Sequence, residues 1–243
     1  MIELKGRLKT IAEKVDKGET MADIGTDHGF LPFYLIENGI SPKVVLCDIS
    51  PGSLAKAKQN AEYLSSDEGV DFRLGDGIDV LSPGEVDDIV IAGLGSTTMR
   101  KMLEKDREHS ASFSKYIMQP RKDPGELRWF LSESGYAITD ETLVEEGKFI
   151  CEIITASTSE SAVDLFEAAG VDAPEGEGPL SIKWEVPPYY AVRKDDLSKE
   201  YVRRKLERER LILASLEKNS PGTDMSRNIE RIQYLEEISE GMK

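Results

Sequence analysis

The sequence predicts an α/β protein: a mostly parallel sheet wrapped by helices, closed by an antiparallel hairpin and followed by a pair of charged helices. Three observations predict it. Short apolar runs alternate with helix-like periods from residue 21 to residue 134, the rhythm of a parallel sheet with right-handed crossovers. Two β-rich runs, Tyr136 to Val144 and Phe149 to Ala156, then flank the turn-like Glu145-Glu146-Gly147-Lys148, which reads as an antiparallel hairpin. Finally, Val202, Leu206, Leu213 and Leu216, and then Ile229, Ile232, Leu235 and Ile238, keep a three-and-four spacing within charged sequence, as a coiled-coil helical hairpin requires.

Each element follows in order. Leu4, Leu8, Ile11, Ala12 and Val15 predict an amphipathic helix over 4–15 that leads into a first strand over 21–25. Leu31, Phe33, Tyr34, Leu35 and Ile36 form the first crossover helix, stopped by Gly39; a second strand over 44–49 and a helix over 53–64 come next. Further strands are expected at 71–75, 87–92 and 115–119, with helical stretches near 97–106 and 124–134. From Thr158 to Pro188 Ser, Glu, Gly and Pro dominate and no period holds, so this stretch reads as a linker or a loosely packed excursion. Asn219-Ser220-Pro221-Gly222 breaks the tail into its two helices. The expected organisation is a sheet domain over 1–158 and a linker with a helical domain over 159–243.

Composition narrows the class. A chain of 243 residues holds one good core and an appendage, at ~100–200 residues per domain. Its 39% hydrophobic and 32% charged residues suit a soluble globular protein. No apolar run approaches the ~20 residues of a membrane span, and the first residues alternate charge with apolar groups instead of forming a signal core, so a cytoplasmic protein without a membrane partner is expected. Cys47 and Cys151 each lie inside an apolar run and read as small buried hydrophobes, leaving no metal site to argue. The net charge of −15 speaks against nucleic acid, which usually demands a basic footprint. Yet Arg193, Lys194, Lys199, Arg203, Arg204, Lys205, Arg208 and Arg210 form a locally basic region that keeps an RNA partner open.

The chemistry concentrates at strand ends. The first apolar run stops at Gly25, and Gly25-Thr26-Asp27-His28-Gly29 opens the following helix; a missing side chain lets a ligand approach the backbone, and the helix N-terminus offers its amides. The same pair of glycines would also serve a tight packing turn. Asp48 ends the second run, where a doubly wound fold sets a carboxylate against ribose hydroxyls. Gly75-Asp76-Gly77 follows the third, where an adenine amino group could be held. Three such turns in order indicate a Rossmann-like nucleoside site. The terminal hairpin favours S-adenosylmethionine over NAD, by fold-level analogy with class I methyltransferases, which insert their last strand antiparallel. The fourth strand ends in Ile91-Ala92-Gly93-Leu94-Gly95-Ser96, lacking the Asp or Asn with Pro-Pro and an aromatic usual in amino-group methyltransferases. Gln119-Pro120-Arg121 places an amide and a cation on the same rim, though Arg121 also suits a surface ion pair.

With these residues in view, the chain resembles the bacterial tRNA (adenine-22 N1) methyltransferase family. The string Ala-Asp-Ile-Gly-Thr-Asp-His-Gly-Phe-Leu-Pro over 22–32, Gly75-Asp76-Gly77, Ile91 to Gly95 and Gln119-Pro120 carry the likeness, and the helical tail resembles that family's coiled-coil domain. Family members tend to read Asp-His-Ala-Tyr and Ala-Gly-Met-Gly-Gly where this chain has Asp27-His28-Gly29-Phe30 and Ala92-Gly93-Leu94-Gly95-Ser96. The resemblance implies S-adenosylmethionine as cofactor, tRNA as partner, and methyl transfer to N1 of an adenine in the D-arm region. It implies cofactor contacts from Asp23, Gly25, Asp27, Gly29, Asp48, Ile49, Asp76, Gly77, Ala92 and Gly93. Gly95, Gln119, Arg121, Arg203 and Arg204 would face the substrate. Asp27, with His28 as a polar neighbour, would stabilise the positive charge that grows on the base; Asp27 as a helix cap and His28 as a packing residue is the bland alternative. Two rivals stay open: a methyltransferase of the same fold acting on a small molecule or protein, and a non-catalytic adapter that binds the cofactor.

Overall fold

The computed structural model describes residues 2–64, 67–220 and 222–243. It divides into two compact units, Met1–Val163 and Asp164–Lys243. The first contains β1 (Met21–Ile24), β2 (Val44–Asp48), β3 (Val70–Leu74), β4 (Asp88–Leu94), β5 (Lys115–Pro120), β6 (Ala137–Glu146) and β7 (Phe149–Ser157) in one sheet. Their order is β3-β2-β1-β4-β5-β7-β6. The pairs from β3 through to β5 are parallel, and β7 lies antiparallel to both β5 and β6. This is a Rossmann-like sheet, with the inserted antiparallel strand that the sequence led us to expect.

The strands of the middle are mostly apolar because helices cover both faces. Val44, Val45 and Leu46 of β2 and Ile89, Val90 and Ile91 of β4 are fully buried. Burial of each such side chain stabilises the fold by ~1.5–3 kcal/mol. The helices of this unit are α1 (Gly6–Ala12), α2 (Phe30–Glu37), α3 (Pro51–Ala61), α4 (Ser96–Lys105), α5 (Arg107–Ala111) and α6 (Pro124–Glu133). Ser50 caps α3, its hydroxyl accepting from the Ser53 amide at 3.3 Å, with Pro51 in the first turn, a sequence-local start signal. The short helix α5 had no period long enough to be read, and α1 is shorter than its apolar spacing predicted.

Two expectations need correction. The hairpin turn is tighter than the four residues predicted: β6 runs on through Glu146 and only Gly147 and Lys148 connect it to β7, Gly147 adopting φ +63°. A two-residue turn needs left-handed backbone, which Gly supplies without strain. The stretch from 158 to 188 is also not a loose linker. It contains α7 (Leu165–Ala169) and α8 (Ile182–Glu185), and Phe166, Ile182, Trp184 and Val186 are buried. Phe166 meets Trp184 and Tyr189 edge-on at 5.8 and 5.0 Å, and Tyr189, Tyr190 and Tyr201 stack in succession. Helices of four or five residues are too short to show a period, so the aromatics were the only signal.

The second unit ends in α9 (Asp196–Asn219) and α10 (Ser226–Gly241). They are joined by Arg210–Glu236 at 2.6 Å, Arg231–Glu209 at 2.8 Å and the Asn228 amide donating to Glu209 at 3.3 Å. Pro221 of the expected break lies outside the described residues.

Candidate functional site

The strand order reverses at β1 and β4, which are neighbours although their crossovers leave in opposite directions. In open α/β sheets the crevice beyond the carboxyl ends at such a point is where ligands bind. Register brings Ile24 beside Cys47 on one side and Ile91 on the other, and Ala92 beside Gln119. The turns singled out in the sequence therefore sit side by side along one edge.

The glycines of these turns separate into two kinds. Above Gly25 (φ +83°) an added Cβ would meet nothing nearer than Leu94 Cδ1 at 4.0 Å; above Gly93 (φ +77°) only an Arg7 guanidinium nitrogen at 3.7 Å; above Gly95 nothing within 4 Å. Their missing side chains leave a shallow cradle at the switch point. Gly29 is different: a Cβ there would lie 2.5 Å from Phe33 Cε2 and 2.9 Å from Leu46 Cδ2. At Gly75 and Gly77 it would strike Val80 at 2.2 Å and Met102 at 2.7 Å. Packing accounts for the absence of a side chain at those three positions.

Acidic groups line the β1–β3 side. The Asp48 carboxylate accepts from the Ser50 amide at 2.7 Å and from the Asp27 amide at 3.4 Å. An ionised carboxylate has about four acceptor sites, so it keeps capacity for a pair of hydroxyls. Ile49 and Leu74 flank it with 69% and 58% of their surfaces exposed, apolar cover for an aromatic base. Asp76 is exposed, and its carboxylate lies 3.9 Å from Lys105 Nζ, which also pairs with Asp79. Asp23 is only 7% exposed. Burial, and secondarily the Asp48 carboxylate, push its pKa up to about 6 against the opposing pull of Thr26.

Asp27 is one of two non-glycine residues with positive φ among the described residues, at +45°, a conformation Asp tolerates better than most. Its exposed carboxylate lies 3.2 Å from Lys56 Nζ and 3.5 Å from His28 Nε2. Asn60 donates its side-chain amide to the His28 carbonyl at 2.9 Å, so α3 holds this turn from below. The rings of His28 and Phe30 are parallel, with centroids 5.4 Å apart and planes within 7°.

On the acceptor side β4 shifts register between Ala92 and Leu94, making Gly93 a bulge, the role for which positive φ suits glycine. Gln119 is buried: its carbonyl accepts from Arg7 at 3.0 Å and its amide donates to the Pro120 carbonyl at 2.8 Å. Arg7 was missed in the sequence, where it looks like any polar residue of an amphipathic helix. It also bonds Glu146 at 2.9 Å, tying α1 to the ends of β5 and β6. Arg121 is exposed and its backbone amide closes on Leu94 at 2.8 Å. Arg203 and Arg204, in the second unit, are held by Glu200 at 2.6 Å each, with Glu207 also on Arg203. Their charge is thus largely neutralised on their own helix.

Neither cysteine is bonded; burial pushes the Cys47 thiol up to about 12. Among the described residues no group of His, Cys, Asp and Glu could hold a metal ion, and no helix is long and apolar enough to cross a membrane.

Comparison with known proteins settles the family. A model of the methyltransferase domain matches residues 4–154. The chain is 29% identical over 242 residues to the tRNA (adenine(22)-N(1))-methyltransferase of Bacillus subtilis (strain 168), covering 100% of this chain and 96% of that protein. The chain belongs to the methyltransferase domain family. The crystal structure of the B. subtilis m1A22 tRNA methyltransferase TrmK superposes on this family member with a TM-score of 0.79 at 28% identity, covering 100% of both chains. The M. capricolum TrmK, solved with S-adenosylhomocysteine, shares the fold at a TM-score of 0.71 and 22% identity, over 98% of this chain and 97% of that one.

Proposed function

We propose that the protein transfers a methyl group from S-adenosylmethionine to N1 of adenine 22 in tRNA, in the cytoplasm. The observation that carries this reading is the cradle of Gly25 and Gly93 at the switch point, beside an Asp48 carboxylate with acceptor capacity to spare, in a chain whose whole length matches a relative of that activity. When bound, S-adenosylmethionine supplies an electrophilic methyl group and a neutral leaving thioether.

The residues present fit such a nucleoside. Asp48 would hold the ribose hydroxyls, Ile49 and Leu74 would cover the adenine faces, and Asp76 would accept from its amino group. Gly25 and Gly93 would let the backbone approach the reacting end, with Asp23 and Ala92 shaping the floor from within their strands. Adenine N1 attacks through a lone pair, so no side chain has to remove a proton first; orientation carries most of the rate. Asp27 would stabilise the positive charge developing on the base, with Lys56 and His28 fixing its direction. N1 lies on the Watson–Crick edge, so the base must leave its stack, at about a few kcal/mol.

We assign chemistry to the first unit and tRNA contacts to Arg121 and to the helical second unit. Incubating the protein with labelled S-adenosylmethionine and unmodified tRNA should produce a reverse-transcription stop at adenine 22, absent from a transcript with that adenine replaced. Label at another nucleotide, or none, would overturn the assignment.

A further inference from the structure

We infer that Phe30 and His28 form a stacking platform for the target adenine. The inference rests on the proposed tRNA reaction and adds the surface that receives the extruded base and steadies it as it becomes cationic. Phe30 is the first residue of α2, immediately beyond the Gly25–Gly29 turn, and 44% of its surface is exposed. An aromatic ring at a crevice rim gains nothing from that exposure unless something covers it. The His28 ring stacks parallel to it, with centroids 5.4 Å apart and planes within 7°, so Phe30 presents an aromatic face backed by a second ring. The face is held rigidly: Gly29 lies between the two residues in left-handed backbone, packed against Phe33 and Leu46, and Asn60 fixes the His28 carbonyl at 2.9 Å.

The chemistry of the product matches this face. Every base has a π surface, and stacking on aromatic side chains is how proteins hold unpaired bases. Alkylation at N1 makes the adenine ring cationic, and an aromatic face attracts a cation more strongly than a neutral ring. The platform therefore binds the methylated base more tightly than the unmethylated one, and part of that difference is already expressed as the N1–methyl bond forms and the sulfonium bond breaks. The Asp27 carboxylate, 3.5 Å from His28 Nε2, adds negative charge beside it.

Phe30→Leu keeps apolar bulk and removes the π face; Phe30→Trp keeps the face. Because the ring is exposed at a helix start, neither change disturbs the core, and thermal unfolding confirms folding. With wild-type protein methylating adenine 22, Phe30→Leu is expected to lower kcat/KM on tRNA by about 10- to 100-fold, as loss of a base–aromatic stack implies. Its affinity for S-adenosylmethionine, measured by calorimetry, should not change, and Phe30→Trp should retain most activity. The preference of wild-type protein for methylated over unmethylated tRNA should shrink in Phe30→Leu, a readout that a merely structural role would not move. Wild-type rates in Phe30→Leu, or an unchanged preference, would sink the platform while leaving the tRNA reaction intact. Loss of cofactor affinity would reassign Phe30 to the cofactor and overturn it too. Failure of the wild-type protein to methylate adenine 22 would remove both readings.

Discussion

Asp23→Asn should make the protein more stable at neutral pH, and the gain should depend on pH in a defined way. The carboxyl sits on β1, 7% exposed, with its pKa raised from 3.8 to about 6, chiefly by burial. Below the unfolded value both states are protonated and the group costs nothing. As pH rises from 4 towards 6 the unfolded chain ionises first, so folding stability falls; above about pH 6 the loss is complete. At about 1.4 kcal/mol per pKa unit the whole penalty is about 3 kcal/mol, roughly half of it already present at pH 5. Asn preserves the shape without the charge. Urea unfolding of both proteins should therefore show the variant ahead by about 3 kcal/mol at pH 8 and about 1.5 kcal/mol at pH 5. A difference that does not grow with pH, or a variant less stable at pH 8, would refute the reasoning.

Gly25→Ala and Gly29→Ala should part company. The first adds backbone strain of ~1–2 kcal/mol but places its Cβ in the cradle, so calorimetry should show at least a roughly tenfold loss of S-adenosylmethionine affinity; the second should lower stability by roughly 2–4 kcal/mol through its clash with Phe33. Arg128 is fully buried and bonded to Glu141 through two nitrogens and to Glu152 through one, all at 2.8 Å; Arg128→Met removes the buried guanidinium that both carboxylates bond and should cost about 3–5 kcal/mol in denaturant unfolding. Arg121 is exposed with no ion pair among the described residues, whereas Glu200 and Glu207 hold Arg203. Arg121→Ala should thus weaken tRNA binding and reduce the salt slope by about 1, and Arg203→Ala should do so less, measured by titration across ionic strength.

The alternation of strand and helix was legible in the chain because buried parallel strands must be continuously apolar and their crossovers amphipathic; both patterns are local. The Gly25 turn, Asp48 and the antiparallel hairpin were legible for the same reason, each being set by backbone geometry at one point. Tertiary packing decided what pattern could not carry. Only the structure distinguishes Gly25, open to the crevice, from Gly29, filled by Phe33, since the difference lies in what another segment places above each Cα. Arg7 meets Gln119 and Glu146 because α1 folds back over the ends of β5 and β6. The arginines at 203 and 204 lost their apparent freedom because a helix sets Glu200 within reach. The stretch from 158 to 188 turned from an expected linker into packed structure, because its aromatics bury one another across distances that no local period records.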